Sequence, residues 1–293
     1  MHDSPISVGL VGAGPWASMV HAPTLAAGPE TRLAGVWARR PEAAEQLAAQ
    51  HHVRACGRIQ ELFELCEAVA FAVPPDVQAD LAAAAAREGK SVLLEKPVAA
   101  DLGGAERLAD IIETAGVASM VVLSWRYAAA VRAFLERVEA FDPMGGRGTF
   151  VSGALLGGPF ATPWRLERGA LLDLGPHVID LLDAALGRVV GVRAHGSSLG
   201  WLGLLLDHDT GCASEASMCA TAAVDPHRAR IELFGQSGAL EIDCAAVVDA
   251  DAFGTLRREF AAAVRGTAHE LDVRRGLHLQ RIIAEAELQL ARE

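Results

Sequence analysis

The sequence predicts an α/β chain in two parts, a doubly wound parallel sheet followed by an α+β unit with an open, largely antiparallel sheet. Over about the first 120 residues, short apolar runs alternate with amphipathic helical stretches, the pattern that wraps a parallel sheet on both faces. From Gly148 the texture changes to one strand-like run after another, which reads as an antiparallel sheet. The expected division is residues 1–121 and 122–293.

In the first part, strands are expected at 6–11, 32–37, 68–73, 91–94 and 117–122. Helices should begin near Ala17, Pro41, Pro75 and Leu102, with a shorter one near Gln60. Pro41 and Pro75 fall where a first helical turn has no use for the missing N–H. In the second part, strands are expected at 149–156, 189–195, 201–206, 214–222, 230–234 and 239–242. Helices are expected over 171–186 and from Phe253 onward, and the segment 128–140 bridges the two parts. No internal repeat or low-complexity linker interrupts the chain.

The 293 residues, 51% of them apolar, suffice for two cores. With 26 basic and 37 acidic residues and a net charge of -11, no basic block stands out. A phosphate-tracking nucleic-acid surface is excluded, and a small-molecule partner is favoured. Cysteines 56, 66, 212, 219 and 244 are scattered without C-x-x-C spacing; their odd number predicts reduced thiols in a cytoplasmic protein. Residues 1–5 carry no basic and apolar leader, and the alanine-rich run 81–86 is too short to span a bilayer. The open sheet is expected to present an apolar face that a second copy covers, giving a homo-oligomer.

The first strand leads into Gly12-Ala13-Gly14-Pro15-Trp16-Ala17, a dinucleotide fingerprint in its expected setting. Gly12 permits the tight turn, Gly14 lets the backbone approach a pyrophosphate, and Ala17 lets the helix pack close to the strand. With Pro15 and Trp16 they form a loop whose free N–H groups meet the phosphates. The second strand normally ends in a carboxylate that holds a ribose hydroxyl; here Trp37 is followed by Ala38-Arg39-Arg40. Two guanidiniums suit a 2'-phosphate, which favours NADP over NAD, although they also suit a solvated loop before Pro41. Pro74, Glu95 and Lys96 complete the cofactor set. Glu95-Lys96-Pro97 lies just past the strand 91–94, on the edge where open parallel sheets bind ligands. Pro97 confines Lys96 to extended geometry and permits a cis bond.

Asp173 and His177 stand four residues apart, on one face of a helix that Asp173 could cap and that would hold Pro176 in its first turn. A histidine can accept a hydroxyl proton as hydride leaves the carbon, a carboxylate beside it can orient the ring, and Lys96 can stabilise the developing alkoxide. The plain alternative is a capping aspartate and a structurally bonded histidine, with Asp180 on the helix surface. Gly196-Ser197-Ser198-Leu199-Gly200 fits the hydrolase pattern G-x-S-x-G, but a strand rather than a helix should follow it. His51-His52 and Asp207-His208-Asp209 lack companions at ligand spacing, so no metal is expected.

Together these segments resemble the glucose-fructose oxidoreductase, inositol dehydrogenase and MocA (Gfo/Idh/MocA) family over nearly the whole chain. The glycine loop with His21, the Glu95-Lys96-Pro97 motif, and Leu172-Asp173-Leu174-Gly175-Pro176-His177 with Asp180 occur in the family's order. Weaker matches are Pro163-Trp164-Arg165, Phe234-Gly235-Gln236-Ser237-Gly238 and Arg275-Gly276-Leu277-His278. The resemblance implies a Rossmann domain followed by an open-sheet domain, and NAD(P)-linked oxidation or reduction of a sugar, cyclitol or related alcohol. It also implies proton transfer by Lys96 and His177 with help from Asp173. The chain departs from the family in being short, in carrying Gln78 where members often have histidine, and in Ser124-Trp125-Arg126-Tyr127 in place of Asn-x-Arg. Arg126, Tyr127, Trp164 and Arg165 are candidates to line the substrate space or, equally, to pack the core. The rival reading is a non-catalytic sensor of dinucleotide or sugar on the same fold.

Overall fold

The computed structural model describes residues 4–292. β1 (Ile6–Val11) feeds a helical segment with a π-helical turn (Ala17–His21) that continues as α1 (Ala22–Ala26). There follow β2 (Thr31–Trp37), α2 (Pro41–Gln50), β3 (Arg54–Ala55), α3 (Ile59–Leu65), β4 (Ala68–Phe71), α4 (Pro75–Arg87), β5 (Ser91–Leu94), α5 (Leu102–Ala115) and β6 (Ser119–Val121). All their pairings are parallel, in the order β3-β2-β1-β4-β5-β6. The winding therefore reverses between β1 and β4. Because crossovers are right-handed, the helices of the two directions lie on opposite faces and a crevice opens at the reversal. β3 is the one strand of this sheet that the sequence pattern does not mark, being two residues long.

β1 and β4 are buried along their whole length, as the middle of a sheet covered on both faces requires. Gly9 pairs with Gly35 across β1 and β2, and this small-residue spot seats Leu62 of α3. A Cβ at Gly9 would stand 2.8 Å from Leu62 Cγ, and one at Gly35 would stand 3.2 Å from Leu62 Cδ1. Asp101 caps α5 by accepting from the Gly104 N–H at 2.7 Å, and Gly116 ends the helix in the left-handed region.

After a 3₁₀ turn (Ser124–Tyr127) come α6 (Ala129–Val138), β7 (Gly145–Val151), α7 (Pro163–Asp173), α8 (Gly175–Leu186), β8 (Val189–Gly196), β9 (Leu202–His208), β10 (Ala213–Cys219), β11 (Arg228–Gly235) and β12 (Gly238–Asp243). The second sheet runs β12-β11-β7-β10-β9-β8. Only β7 and β10 pair in parallel; the other neighbours are antiparallel. Alternation sends Leu202, Leu204, Leu206, Ala216, Met218, Ile231 and Leu233 inward, and α8 lies against this face. A Cβ at Gly148 of β7 would stand 2.5 Å from Val178 Cγ1, so the glycine sets how closely α8 approaches. The strand expected at 149–156 is instead Gly145–Val151: it starts earlier because its glycines hide the alternation, and residues 152–156 lie outside it.

The other face of this sheet is not the apolar surface the sequence suggests. In register across it stand Arg193, Leu205, Glu215, Arg147, Glu232 and Glu241. Arg147 holds Glu232 at 2.6 and 3.0 Å, Arg193 meets Asp207 at 3.2 Å, and Arg230 meets Glu241 at 3.5 Å. Arginine–carboxylate pairs across neighbouring strands take the place of hydrophobic cover.

Two compact units emerge. Residues 1–122 and 253–277 form the first, and residues 123–252 and 278–293 the second. The chain passes from one unit to the other after residue 122, returns at residue 253 and leaves again after residue 277. The tail is α9 (Ala250–Val264) and α10 (Val273–Leu290). Its first stretch binds the first unit: Arg257 meets Glu30 at 2.8 Å, and the Val121 N–H donates to the Leu271 carbonyl at 2.7 Å, closing the edge beside β6. No described helix is long and apolar enough to cross a membrane.

All five cysteines are free. Burial pushes the Cys66 thiol up to about 11 and Cys244 to about 12, so with a thiol reagent at about pH 8, Cys212, half-buried, should label first, and Cys66 and Cys244 only on unfolding. The Ser7 N–H and hydroxyl donate to Glu67 at 2.9 and 2.8 Å and hold its carboxyl below the usual range. The stability this adds is complete above the ordinary carboxylate range and is lost as pH falls through the lowered value. The stability gap between wild type and Glu67→Gln in urea should therefore narrow from about pH 6 to about pH 3.

Candidate active site

The glycine loop sits at the carboxyl end of β1, beside the reversal in strand order. Gly12 has φ +117, and a Cβ there would stand 2.3 Å from the Ala72 carbonyl oxygen; only glycine combines that angle with that approach. The Gly12 N–H donates to the Trp37 carbonyl at 2.8 Å and the Ala72 N–H to Val11 at 2.8 Å, so the turn is anchored to both neighbouring strands. At Gly14 a Cβ would have nothing within 4 Å. The open side of the loop can thus admit a pyrophosphate, and the residues present fit a dinucleotide. Next to it, Ala13, Ser18, Arg40, Glu42, Ala43, Gln46, Leu47 and Gln50 line a cavity of about 340 Å³. Arg39 and Arg40 are both exposed, and of the two only Arg40 belongs to that wall.

Lys96 follows β5, two strands along the sheet from β1, with a cis bond to Pro97. Its loop is bound to the glycine loop through Glu95. One carboxylate oxygen accepts from Trp16 Nε1 at 2.6 Å and lies 2.7 Å from His21 Nε2. Trp16 also meets Phe253 edge-on, with ring centroids 6.2 Å apart. Gln78 of α4, fully buried, receives the Glu95 N–H at 2.8 Å and donates through Nε2 to the carbonyls of Glu95 at 2.7 Å and of Pro97 and Val98 at 3.2 Å each. Pro74, the residue before α4, accepts from the Gln78 N–H at 2.9 Å. Gly276 of the tail packs on the same loop: a Cβ there would fall 2.4 Å from Val98 Cγ1. The glycine and lysine motifs are legible in the sequence. Gln78 shows there only as a departure from family habit, and nothing there signals its contacts.

In the second unit, Asp173 and His177 do not share one uninterrupted helix. Asp173 ends α7, Leu174 intervenes, and His177 lies in the first turn of α8, with Pro176 at that helix's start. Gly169 breaks α7 at φ 68, ψ -155, where a Cβ would fall 2.0 Å from the Ser198 carbonyl oxygen. That close approach reorients the chain before Asp173. Instead of capping a helix, the Asp173 carboxylate accepts from Arg165 Nε at 3.0 Å. His177 lies 5.2 Å from the Trp125 ring at 35° and 6.4 Å from Phe150. Phe150 stacks on Trp125 at 5.3 Å and lies 5.7 Å from His227. Nothing in the sequence signals this aromatic group, since the fold assembles it from four separate segments: the turn holding Trp125, β7, α8 and the stretch before β11.

The four candidates for the substrate wall divide. Tyr127, 1% exposed, is core, and Arg126, 8% exposed, is held by both oxygens of Asp180 at 3.3 Å. Asp180 is accordingly a buried ion-pair partner rather than a surface acid. Trp164 and Arg165 remain partly exposed, the guanidinium 4.5 Å over the indole. Gly196–Gly200 connects β8 to β9, with the Ser197 N–H donating to Trp201, so the turn passes from strand to strand. Among the described residues no cluster of three or more His, Cys, Asp or Glu could hold a metal. Lys96 belongs to the first unit, and Asp173 and His177 belong to the second.

Residues 6–123 match the family described as an oxidoreductase family with an NAD-binding Rossmann fold, Gfo/Idh/MocA. Over that stretch the chain is similar to this family. A Saccharomyces cerevisiae relative, the uncharacterized protein YMR315W, is 27% identical over 206 residues, 65% of this chain and 58% of that one. The dTDP-3,4-didehydro-2,6-dideoxy-alpha-D-glucose 3-reductase of Streptomyces violaceoruber is 27% identical over 258 residues, 81% of this chain and 72% of that one. The fold likeness extends past the matched domain. The WlbA dehydrogenase from Bordetella pertussis, solved with NADH and UDP-GlcNAcA, superposes with a TM-score of 0.86 at 21% identity, covering 98% of this chain and 97% of that one. The matched stretch spans 58% of the yeast protein's own length.

Arg165→Met leaves the Asp173 carboxylate, 9% exposed, without its guanidinium. It should cost about 2 kcal/mol in chemical denaturation, and Arg165→Met/Asp173→Asn should cost less than the single change, because the carboxylate that the guanidinium balanced is removed with it.

Proposed function

We propose that this chain is an NAD(P)-dependent oxidoreductase acting on a CH–OH group, or on the corresponding carbonyl, of a sugar, cyclitol or related small molecule. The observation that carries the reading is the bonding of Glu95 to Trp16 and His21, which binds the lysine loop to the glycine loop. Gly12, Gly14, Pro15, Trp16 and Ala17 would hold the pyrophosphate, with Pro74, Glu95 and Lys96 beside it. A bound nicotinamide supplies the hydride acceptor or donor. Lys96 stabilises negative charge on the substrate oxygen and His177 takes or returns its proton. Asp173, paired with Arg165, supports the imidazolium. Trp164 and Arg165 line the substrate space.

Arg40, in the wall of the cavity beside the glycine loop, favours NADP through its guanidinium, and Arg39 adds positive charge nearby. Association of two copies through the open sheet face belongs to the same proposal; the exposed Leu205 and Phe234 on that face would be its apolar contacts, and the molar mass in solution by light scattering tests it.

Purified protein with NADP or NADPH should change absorbance at the nicotinamide band with at least one polyol, aldose or keto-sugar. Saturable cofactor binding without turnover across a broad panel would instead mark a sensor. Lys96→Met should abolish turnover and spare cofactor affinity, since it removes stabilisation made mainly in the transition state. Arg40→Ala should weaken NADP binding by about tenfold, as expected for one charge-assisted contact, and leave NAD binding nearly unchanged by calorimetry.

A further inference from the structure

We infer that Gln78 is a positioning residue for Lys96, and that with the Glu95 carboxylate it makes the placement of that lysine follow the state of the glycine loop. The inference rests on the reading of Lys96 as the group that meets the substrate oxygen.

β5 ends at Leu94, so the backbone from Glu95 onward has no strand partner to order it. Gln78 fills that role. Its side-chain oxygen receives the Glu95 N–H at 2.8 Å, and its nitrogen serves the carbonyls of Glu95, Pro97 and Val98 at 2.7, 3.2 and 3.2 Å. Those carbonyls bracket Lys96 on both sides. The amide is fully buried, so no solvent competes for the four contacts, and the loop curls around one fixed point. Buried backbone groups must be paired. Here one side chain pairs them, and the direction of the Lys96 stem is set by where Gln78 stands.

Gln78 and Glu95 also reach the nucleotide loop, by separate routes. The Glu95 carboxylate accepts from Trp16 through one oxygen and from the Lys96 N–H, at 3.3 Å, through the other. Gln78 stands on the first turn of α4, and its N–H is bonded to Pro74; two residues before that proline is Ala72, whose carbonyl Gly12 packs against. A dinucleotide that orders the loop from Gly12 to Ala17 therefore acts on Lys96 through its own N–H and through the amide that holds its neighbours. Both routes lie within the first unit.

Gln78→Met keeps the length of the side chain and removes all four hydrogen bonds; Trp16→Phe keeps the ring beside Phe253 and removes one donor to Glu95. The direct readout is the rate at which an amine-reactive reagent modifies Lys96, followed by peptide mass spectrometry with and without NADPH. In the wild type NADPH should change this rate severalfold. In Gln78→Met that dependence should be lost, while the dissociation constant for NADPH stays near the wild-type value. Where a substrate has been found, kcat should fall by about tenfold or more with little change in KM for NADPH, as a misplacement of the reacting group predicts. Trp16→Phe should weaken the dependence without removing it, and it decides the matter alone if Gln78→Met does not fold. A variant that keeps the wild-type response of Lys96 to NADPH, whatever its melting temperature, overturns the inference. If no substrate is turned over but the labelling pattern is as described, the oxidoreductase reading fails and the coupling stands. Turnover in a wild type whose Lys96 labelling ignores NADPH overturns the coupling alone.

Discussion

The contact between Gly12 and the Ala72 carbonyl is the constraint on which the first unit's ligand-facing edge depends. β1 lies between β2 and β4, and its exit must turn at once to begin a helix. With a Cβ the turn would collide with the loop after β4, 2.3 Å from its oxygen. Without one, the exits of β1 and β4 can lie side by side, and the start of the helix is left facing the crevice with its N–H groups available. Every later feature of that edge, from Trp16 on Glu95 to Gln78 on the lysine loop, presupposes this closeness.

A second close approach shapes the other unit. Gly169 lies against the Ser198 carbonyl in the β8–β9 connection and kinks α7, and the run 171–186 that the sequence presents as one helix is divided at Leu174, just ahead of Pro176, whose ring nitrogen has no hydrogen to donate, into α7 and α8. The consequence is chemical as well as geometric. Asp173 faces Arg165 and becomes half of an ion pair, whereas His177 begins the next helix among Trp125 and Phe150. Two residues with one spacing in the sequence thus acquire different electrostatic surroundings, a carboxylate fixed by a cation and an imidazole set against aromatic rings.

Much of this was legible in the chain. The strands 6–11 and 91–94 and the helices beginning at Pro41, Pro75 and Leu102 stand where pattern and proline position put them, because burial on both faces and first-turn prolines leave strong local marks. The glycine loop and the Glu95-Lys96-Pro97 motif were readable because their chemistry is local. What escaped depends on distant partners. Gln78 is an ordinary polar residue in a helix until a loop 17 residues later folds over it, and His227 gains its neighbour Phe150 only through sheet packing. The open sheet face was misjudged for the same reason, since cross-strand register, invisible in one dimension, decides whether Arg147 finds Glu232.

The return of residues 253–277 to the first unit has a consequence for how this protein could be rebuilt. The dinucleotide half is not a contiguous segment: a cut after residue 122 would strip the covering from β6, remove Arg257 from Glu30, and take away Gly276 from its seat on Val98. Any chimera that transplants this half onto another catalytic partner must carry two pieces of chain, and its junctions would fall inside α9 and α10 rather than in loops.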